Sequence, residues 1–166
     1  MVPSQYVAVA GAMASMAGEP TPGTRVGVAP PLSPRTPSRG SPTASPDPPL
    51  VAVVIDHRHT AYPLLEREGA AFAVNVLGQE QVELSNRFAW LKDEDRFGAG
   101  DWSSAVTGAP VLRDAVAWLD CRVWGRQSAG THSIYVGEVC ATSVPHPDEP
   151  PLVYWNRGYR KLLLRE

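Results

Sequence analysis

The run Ala115-Val-Ala-Trp-Leu-Asp-Cys-Arg-Val-Trp-Gly125, the segment Arg126 to Gly130, and then His132-Ser-Ile-Tyr-Val-Gly-Glu-Val-Cys-Ala-Thr-Ser-Val144 decide the fold class. In the first run Ala115, Ala117, Leu119, Cys121 and Val123 alternate with Val116, Trp118, Asp120, Arg122 and Trp124, the period of two that a half-buried strand requires. Arg126 to Gly130 reads as a turn and His132 to Val144 as a long second strand. Further on, residues 152–155 and 159–164 flank Asn156-Arg-Gly158, which reads as a three-residue hairpin loop with its glycine at the position favouring positive φ.

Working back from that pair, Leu50-Val-Ala-Val-Val-Ile55 is short, apolar and β-branched, as suits a strand buried on both faces. Asp56-His-Arg-His59 is a polar turn, after which Thr60 is expected to cap a short helix with Pro63 in its first turn and Leu64 and Leu65 facing inward. Gly69 closes that helix, residues 71–77 form a strand, and residues 79–91 read as a second helix. Several antiparallel strands with two short helices predict a mainly β protein built on a closed or nearly closed barrel. No GxGxxG turn opens a helix, and neither a P-loop nor a GxSxG elbow is present, so a Rossmann dinucleotide domain is disfavoured.

A chain of 166 residues, 43% hydrophobic, suits one ordinary domain, and its net charge of -2 gives no reason to expect nucleic acid or an anionic membrane as partner. No apolar run approaches the roughly 20 residues of a spanning helix. Cys121 and Cys140 lie far apart in strand-like runs, without zinc-like spacing, so reduced thiols, a cytoplasmic setting and no metal site are expected. A secretory signal is not expected, because no basic residue precedes Arg25.

Composition changes near residue 46. Pro20, Pro22, Pro30, Pro31, Pro34, Pro37 and Pro42 stand among Gly, Ser, Thr and Ala, with few bulky apolar side chains to offset the entropy of ordering them. Residues 1–46 are expected to be a disordered Pro-rich tail, and residues 47–166 the folded domain.

Five segments in order carry a resemblance. They are Asp47-Pro-Pro-Leu-Val51, Phe72-Ala-Val-Asn-Val-Leu77, the pattern Gln81-x-x-Leu-Ser-x-x-Phe-Ala89, Arg96-Phe97, and Gly130-Thr-His-Ser-Ile-Tyr-Val-Gly-Glu-Val139. Together they resemble the flavin reductase family, whose members use NADH or NADPH to reduce a flavin. The resemblance implies a Greek-key split β-barrel that binds FMN or FAD, a homodimer, and a partner monooxygenase that receives the reduced flavin. It covers about two thirds of the chain.

On that resemblance Asp56, His57 and Thr60 fall where the family lines the phosphate side of the flavin; a solvated turn is the other reading. Asn75 interrupts an apolar strand, where a buried amide needs partners or costs roughly 1–3 kcal/mol. A flavin edge or a neighbouring loop would serve. Ser85, Asn86 and Phe88 lie on the helix whose pattern contacts the cofactor in the family, although periodicity alone places Phe88 in the core. Arg96 is a candidate for phosphate neutralisation or a plain surface arginine, and Tyr154 and Tyr159 match a closing aromatic pair near the flavin or the dimer seam.

His132 begins a strand directly after a glycine turn, so its imidazole is expected at the barrel rim; the resemblance makes it the candidate for the nicotinamide side and the catalytic residue, a rim histidine with no role being the other reading. The family has Gly-Asp-His here, whereas this chain has Thr131 in place of the acid. Glu138 is expected to find a partner such as Arg122 on a neighbouring strand.

The family begins with a helix, two strands and a Ser/Thr-rich flavin loop that residues 1–46 do not resemble. Either this segment is a diverged tail, or it is out-of-frame text. Thirteen arginines against two lysines suggest a GC-rich gene, whose shifted frames read as Pro, Arg, Ser and Ala. The alternatives to a reductase are therefore a flavin-binding split barrel without turnover and a truncated, non-functional product.

Overall fold

The computed structural model describes residues 7–10, 12–13, 25–27, 47–90 and 96–162. In chain order the strands are β1 (Val7–Ala10), β2 (Ala12–Met13), β3 (Arg25–Gly27), β4 (Leu50–Asp56), β5 (Ala71–Val76), β6 (Trp102–Ser104), β7 (Pro110–Leu112), β8 (Ala117–Ala129), β9 (His132–Ser143), β10 (Val153–Trp155) and β11 (Gly158–Arg160). Helix α1 (Tyr62–Leu65) follows β4, helix α2 (Val82–Trp90) follows β5, and a single 3-10 turn spans Arg96–Gly98. Six strands form one curled sheet in the order β1-β5-β8-β9-β4-β3, accompanied by a three-stranded β11-β10-β2 sheet and the β6-β7 ribbon. The result is mainly β with two short helices, as expected, and its curled six-stranded sheet is an open half-barrel consistent with the split barrel that the resemblance implies.

Two inward rows fill the main core. Val51, Val53 and Ile55 of β4 meet Phe72 and Val74 of β5, Cys121 of β8 and Tyr135 of β9, with Ala61 and Leu65 closing the end. Gly137 lies against the Phe72 ring, where an added Cβ would come within 2.5 Å of Cζ. Burial raises the Cys121 thiol to about 12, so this sulfur is chemically quiet. Cys121 and Cys140 are both free. A second cluster of Leu77, Leu84, Leu112, Ala115 and Leu152 lies beneath α2.

The turns differ from expectation in instructive ways. β8 and β9 run on to the pair Ala129–His132, so the connection is Gly130-Thr131 alone rather than residues 126–130. Gly130 has φ 63° and Thr131 does not have positive φ, the pattern of a II′ turn whose twist matches the strands. In the last hairpin Trp155 pairs with Gly158, leaving a two-residue loop in which Asn156 and Arg157 both take positive φ. That is the I′ pattern, and Gly158 belongs to the strand.

Strand alternation in β8 fails at Asp120, which is fully buried. Register shifts at Asp120/Cys121 and Val123/Gly125 interrupt the pairing, and the Asp120 carboxylate accepts hydrogen bonds from the backbone N–H and hydroxyl of Thr107. β5 is buried on both faces because Ala109 and Val111 cover Ala71 and Ala73. Helix α1 is not capped by Thr60; His59 Nδ1 instead accepts from the Ala61 N–H at 3.1 Å. Helix α2 starts at Val82, three residues later than expected, because the Gly78 N–H is taken by Gln81 Oε1 at 2.9 Å in a turn.

Three short runs before Pro30 join the sheets: β1 pairs in parallel with β5, β3 antiparallel with β4, and β2 in parallel with β10. These three runs contain no proline and satisfy backbone groups that would otherwise be left open on sheet edges. The Pro-rich stretch 28–46 lies outside the described residues.

Candidate functional site

Two polar residues singled out by sequence, Asp56 and His132, meet at one end of the sheet. β4 ends at Asp56 directly opposite His132, the first residue of β9, so both side chains emerge on the same face. Alternation puts that face opposite the core row Val53, Ile55 and Tyr135, and beside the half-buried Val54, Ile134 and Val136. The His57 N–H donates to the Thr131 carbonyl at 3.0 Å, tying the two turns together.

Asp56 is wrapped by Arg58. The Arg58 backbone N–H, Nε and Nη2 all donate to its carboxylate, Nη2 at 2.6 Å. These bonds hold the Asp56 carboxyl well below the usual carboxylate range. Asp56 is therefore an anion at neutral pH, with Arg58 as its counter-charge. Its Oδ2 also faces His132 Nε2 at 3.9 Å, while Thr131 Oγ1 contacts His132 Nδ1 at 2.9 Å. The His132 side chain is 42% exposed against 14% for Asp56, so the ring is accessible and the carboxylate sheltered.

In the turn and helix start that follow β4, His57 turns to the core face, its Nε2 3.0 Å from Ser133 Oγ and its ring on Tyr62 at 4.5 Å, and the Thr60 hydroxyl accepts from Arg96 Nη1 at 3.2 Å. Burial, with Arg96 nearby, pushes the His59 imidazole down, in keeping with its Nδ1 serving as an acceptor. Arg58, Arg96 and the histidines make this rim rich in donors. Arg58, Thr131 and Ser133 were not singled out as site residues. Only the adjacency of Arg58 to Asp56 in the polar turn hinted at their pairing.

A second group forms on α2. The Tyr159 hydroxyl is 3.1 Å from Ser85 Oγ and 2.9 Å from Asn86 Oδ1, and Tyr154 stacks edge-on against Tyr159 with ring centroids 5.2 Å apart. The sequence therefore named four residues that the fold does bring together. Phe88 joins Phe97 and Trp102 in an aromatic cluster at 5.3 and 5.5 Å, partly buried against the core as its periodicity indicated.

Asn75 stands apart from both groups. It is fully buried, its Nδ2 donates to the Pro110 carbonyl at 3.3 Å, and its Oδ1 accepts from the Leu112 N–H at 2.8 Å. Of the two sources of partners considered, a flavin edge or a neighbouring segment, it is the adjacent backbone of β7 that hydrogen-bonds the amide here. Arg122 lies opposite Glu138 in the β8–β9 register, the neighbour relation anticipated for it.

The curled sheet with its two short helices defines a split-barrel class of protein. The model of the flavin reductase like domain matches residues 42–163, and the chain belongs to that family. A flavin reductase of Pseudomonas putida is 39% identical over 113 residues, covering 68% of this chain and 65% of the relative. The FMN reductase (NADH) RutF of Variovorax paradoxus is 37% identical over 117 residues, covering 70% and 64%. The chain thus spans just under two thirds of the length of these two relatives. Among solved structures, flavin reductase HpaC complexed with NADP+ aligns with TM-score 0.64 and 32% identity over 72% of this chain and 75% of that one. An NADH:FAD oxidoreductase of Streptomyces globisporus, in complex with NAD and FAD fragments, aligns with TM-score 0.66 and 28% identity over 73% and 72%.

Proposed function

We propose that this chain reduces a flavin, FMN or FAD, with NADH or NADPH and passes the reduced flavin to a monooxygenase. The observation that carries the reading is His132, held at the rim of a flavin-reductase half-barrel with its ring accessible and both ring nitrogens facing partners. When bound, the two cofactors supply the redox chemistry, a hydride passing from nicotinamide C4 to flavin N5.

What remains for the protein is binding, orientation and exclusion of water. Arg96, His57 and Thr60 suit the phosphate end of a flavin nucleotide, being donors clustered on one rim. Ser85, Asn86, Tyr154 and Tyr159 suit a ring edge, offering neutral hydroxyl and amide groups beside two aromatic faces. The half-buried row of Val54, Ile134 and Val136 offers an apolar bed next to His132. His132 is placed to order the nicotinamide. No side chain has to act as nucleophile or general base in this scheme.

A homodimer in the cytoplasm is the proposed working form. Support for the monooxygenase partner comes from family membership, and among the described residues no helix is long and apolar enough to cross a membrane.

The test is to purify the chain, titrate FMN and FAD by fluorescence, and follow NADH and NADPH oxidation with and without added flavin. Flavin-dependent oxidation is expected. Flavin binding without oxidation would assign a binding protein lacking turnover, and neither activity would refute the proposal.

A further inference from the structure

We infer that Asp56 is a positioning residue for His132, fixing the tautomer and orientation of its ring, and that it serves the nicotinamide side of the site rather than the flavin phosphate. This rests on the reductase reading for its functional half only. The structural half stands on four observations: the direct β4–β9 opposition of the two residues, the 3.9 Å separation of Nε2 from Oδ2, the contact of Thr131 Oγ1 with Nδ1, and the grip of Arg58 on the same carboxylate.

Nε2 and Oδ2 stand 3.9 Å apart, beyond a direct hydrogen bond, but a carboxylate cannot donate and its charge favours hydrogen on the ring nitrogen that faces it. Nε2–H then points to Asp56, and Nδ1 is left to accept from the Thr131 hydroxyl. One contact comes from β4 and the other from the turn between β8 and β9, and together they favour one ring orientation. A flip would place the hydrogen-bearing nitrogen at Thr131 and a bare lone pair at the carboxylate. Arg58 keeps Asp56 from swinging away, because backbone and guanidinium bonds both hold it. The titratable and charged groups around the ring are Asp56, Arg58 and His57 on the paired strand and its turn, while β8 places Ala129 opposite.

An imidazole so fixed presents one constant face and edge to a planar nicotinamide, which removes rotational freedom that binding would otherwise have to suppress. Asp56 has no direct contact with substrate in this arrangement; its effect passes through His132.

Two kinds of measurement on the full chain decide the matter. Without any nucleotide, ring ¹⁵N spectra of the neutral His132 should show the Nε2–H tautomer in the wild type and a mixture of both in Asp56→Asn, whose amide can turn either end toward the ring. Equal tautomer ratios in the two proteins overturn the inference. In steady-state assays Asp56→Asn should raise the nicotinamide KM about tenfold while the flavin dissociation constant stays within about twofold. Asp56→Glu should recover most of the loss. Parallel loss of flavin affinity, or an unchanged nicotinamide KM, overturns the functional half. A wild-type chain that oxidises neither NADH nor NADPH with added flavin sinks the reductase reading, and with it the functional half; the tautomer spectra still decide whether Asp56 orders His132.

Discussion

The rim group around Asp56 and His132 and the α2 group around Tyr159 are both polar, but they are held in opposite ways. At the rim, two strands paired without interruption from Leu50–Glu138 to Asp56–His132 set the positions, and charge supplies the contacts. On α2, a short hairpin docks against a helix, and neutral hydroxyl and amide groups meet. The first site is therefore as rigid as the sheet and as sensitive as its charges. The second is as secure as the packing of Leu152 and Tyr159 on the helix cluster. A ligand with an anionic tail and a neutral ring matches that division.

The largest expected effect comes from disturbing the core beneath the rim strands, which leaves the α2 cluster untouched. Gly137→Ala drives a methyl group to 2.5 Å from Phe72 Cζ and 3.1 Å from Cys121 Cβ. Overpacking of this kind costs about 1–3 kcal/mol, measurable by urea denaturation. Wild-type stability in this variant would show that the core does not constrain the β9 backbone as described.

His132→Ala should separate the two regions most clearly. Turnover with NADH or NADPH is expected to fall about ten- to a hundredfold, with a smaller change in flavin affinity by fluorescence titration. Equal losses would remove the nicotinamide role from His132. Tyr159→Phe is the complementary change. Loss of its hydroxyl contacts with Ser85 and Asn86 should lower stability by about 1 kcal/mol and weaken flavin binding, with the nicotinamide KM unmoved. A shift in that KM would mean the two groups act as one.

Acid should distinguish the regions by sign. Because the folded pKa of Asp56 is depressed, its stabilising contribution is present above the unfolded value of about 3.9 and is lost as pH falls below it toward the folded value. The melting-temperature gap between wild type and Asp56→Asn should close over that range, whereas the gap for Tyr159→Phe should not follow it. Smallest of all, Lys161→Ala breaks an exposed 2.8 Å pair with Glu80 and should cost less than about 0.5 kcal/mol, a cost that vanishes in high salt.

Much of the fold was legible because strand periodicity is local. The alternation of residues 115–125 and 132–144 gives the central pair directly, and the glycine turn between them is marked by Gly130. What alternation could not convey was the burial of Asp120, because its partner Thr107 lies thirteen residues away in another loop. The short strands Val7–Ala10 and Arg25–Gly27 carry little signal of their own; they form as additions to edges already built by β5 and β4. At the site, His132 was marked by its place after a turn, and Ser85, Asn86 and Tyr159 by the family pattern. The Asp56–His132 relation was not visible, since it depends on a register spanning the whole middle of the chain. Asn75 shows the converse. Its demand for partners was readable, but the β7 backbone that meets it was not.

The uninterrupted β4–β9 register has an evolutionary consequence. β8 tolerates two register shifts along its length, so insertions there can be absorbed locally. β4 has no such slack. Adding or deleting one residue between Leu50 and Asp56 would reverse which face each following side chain occupies, sending Asp56 inward and leaving His132 alone outside. Lengthening along β4 is therefore tolerated only in steps of two residues, so length variation among related chains should fall in the β8 arm and not in β4.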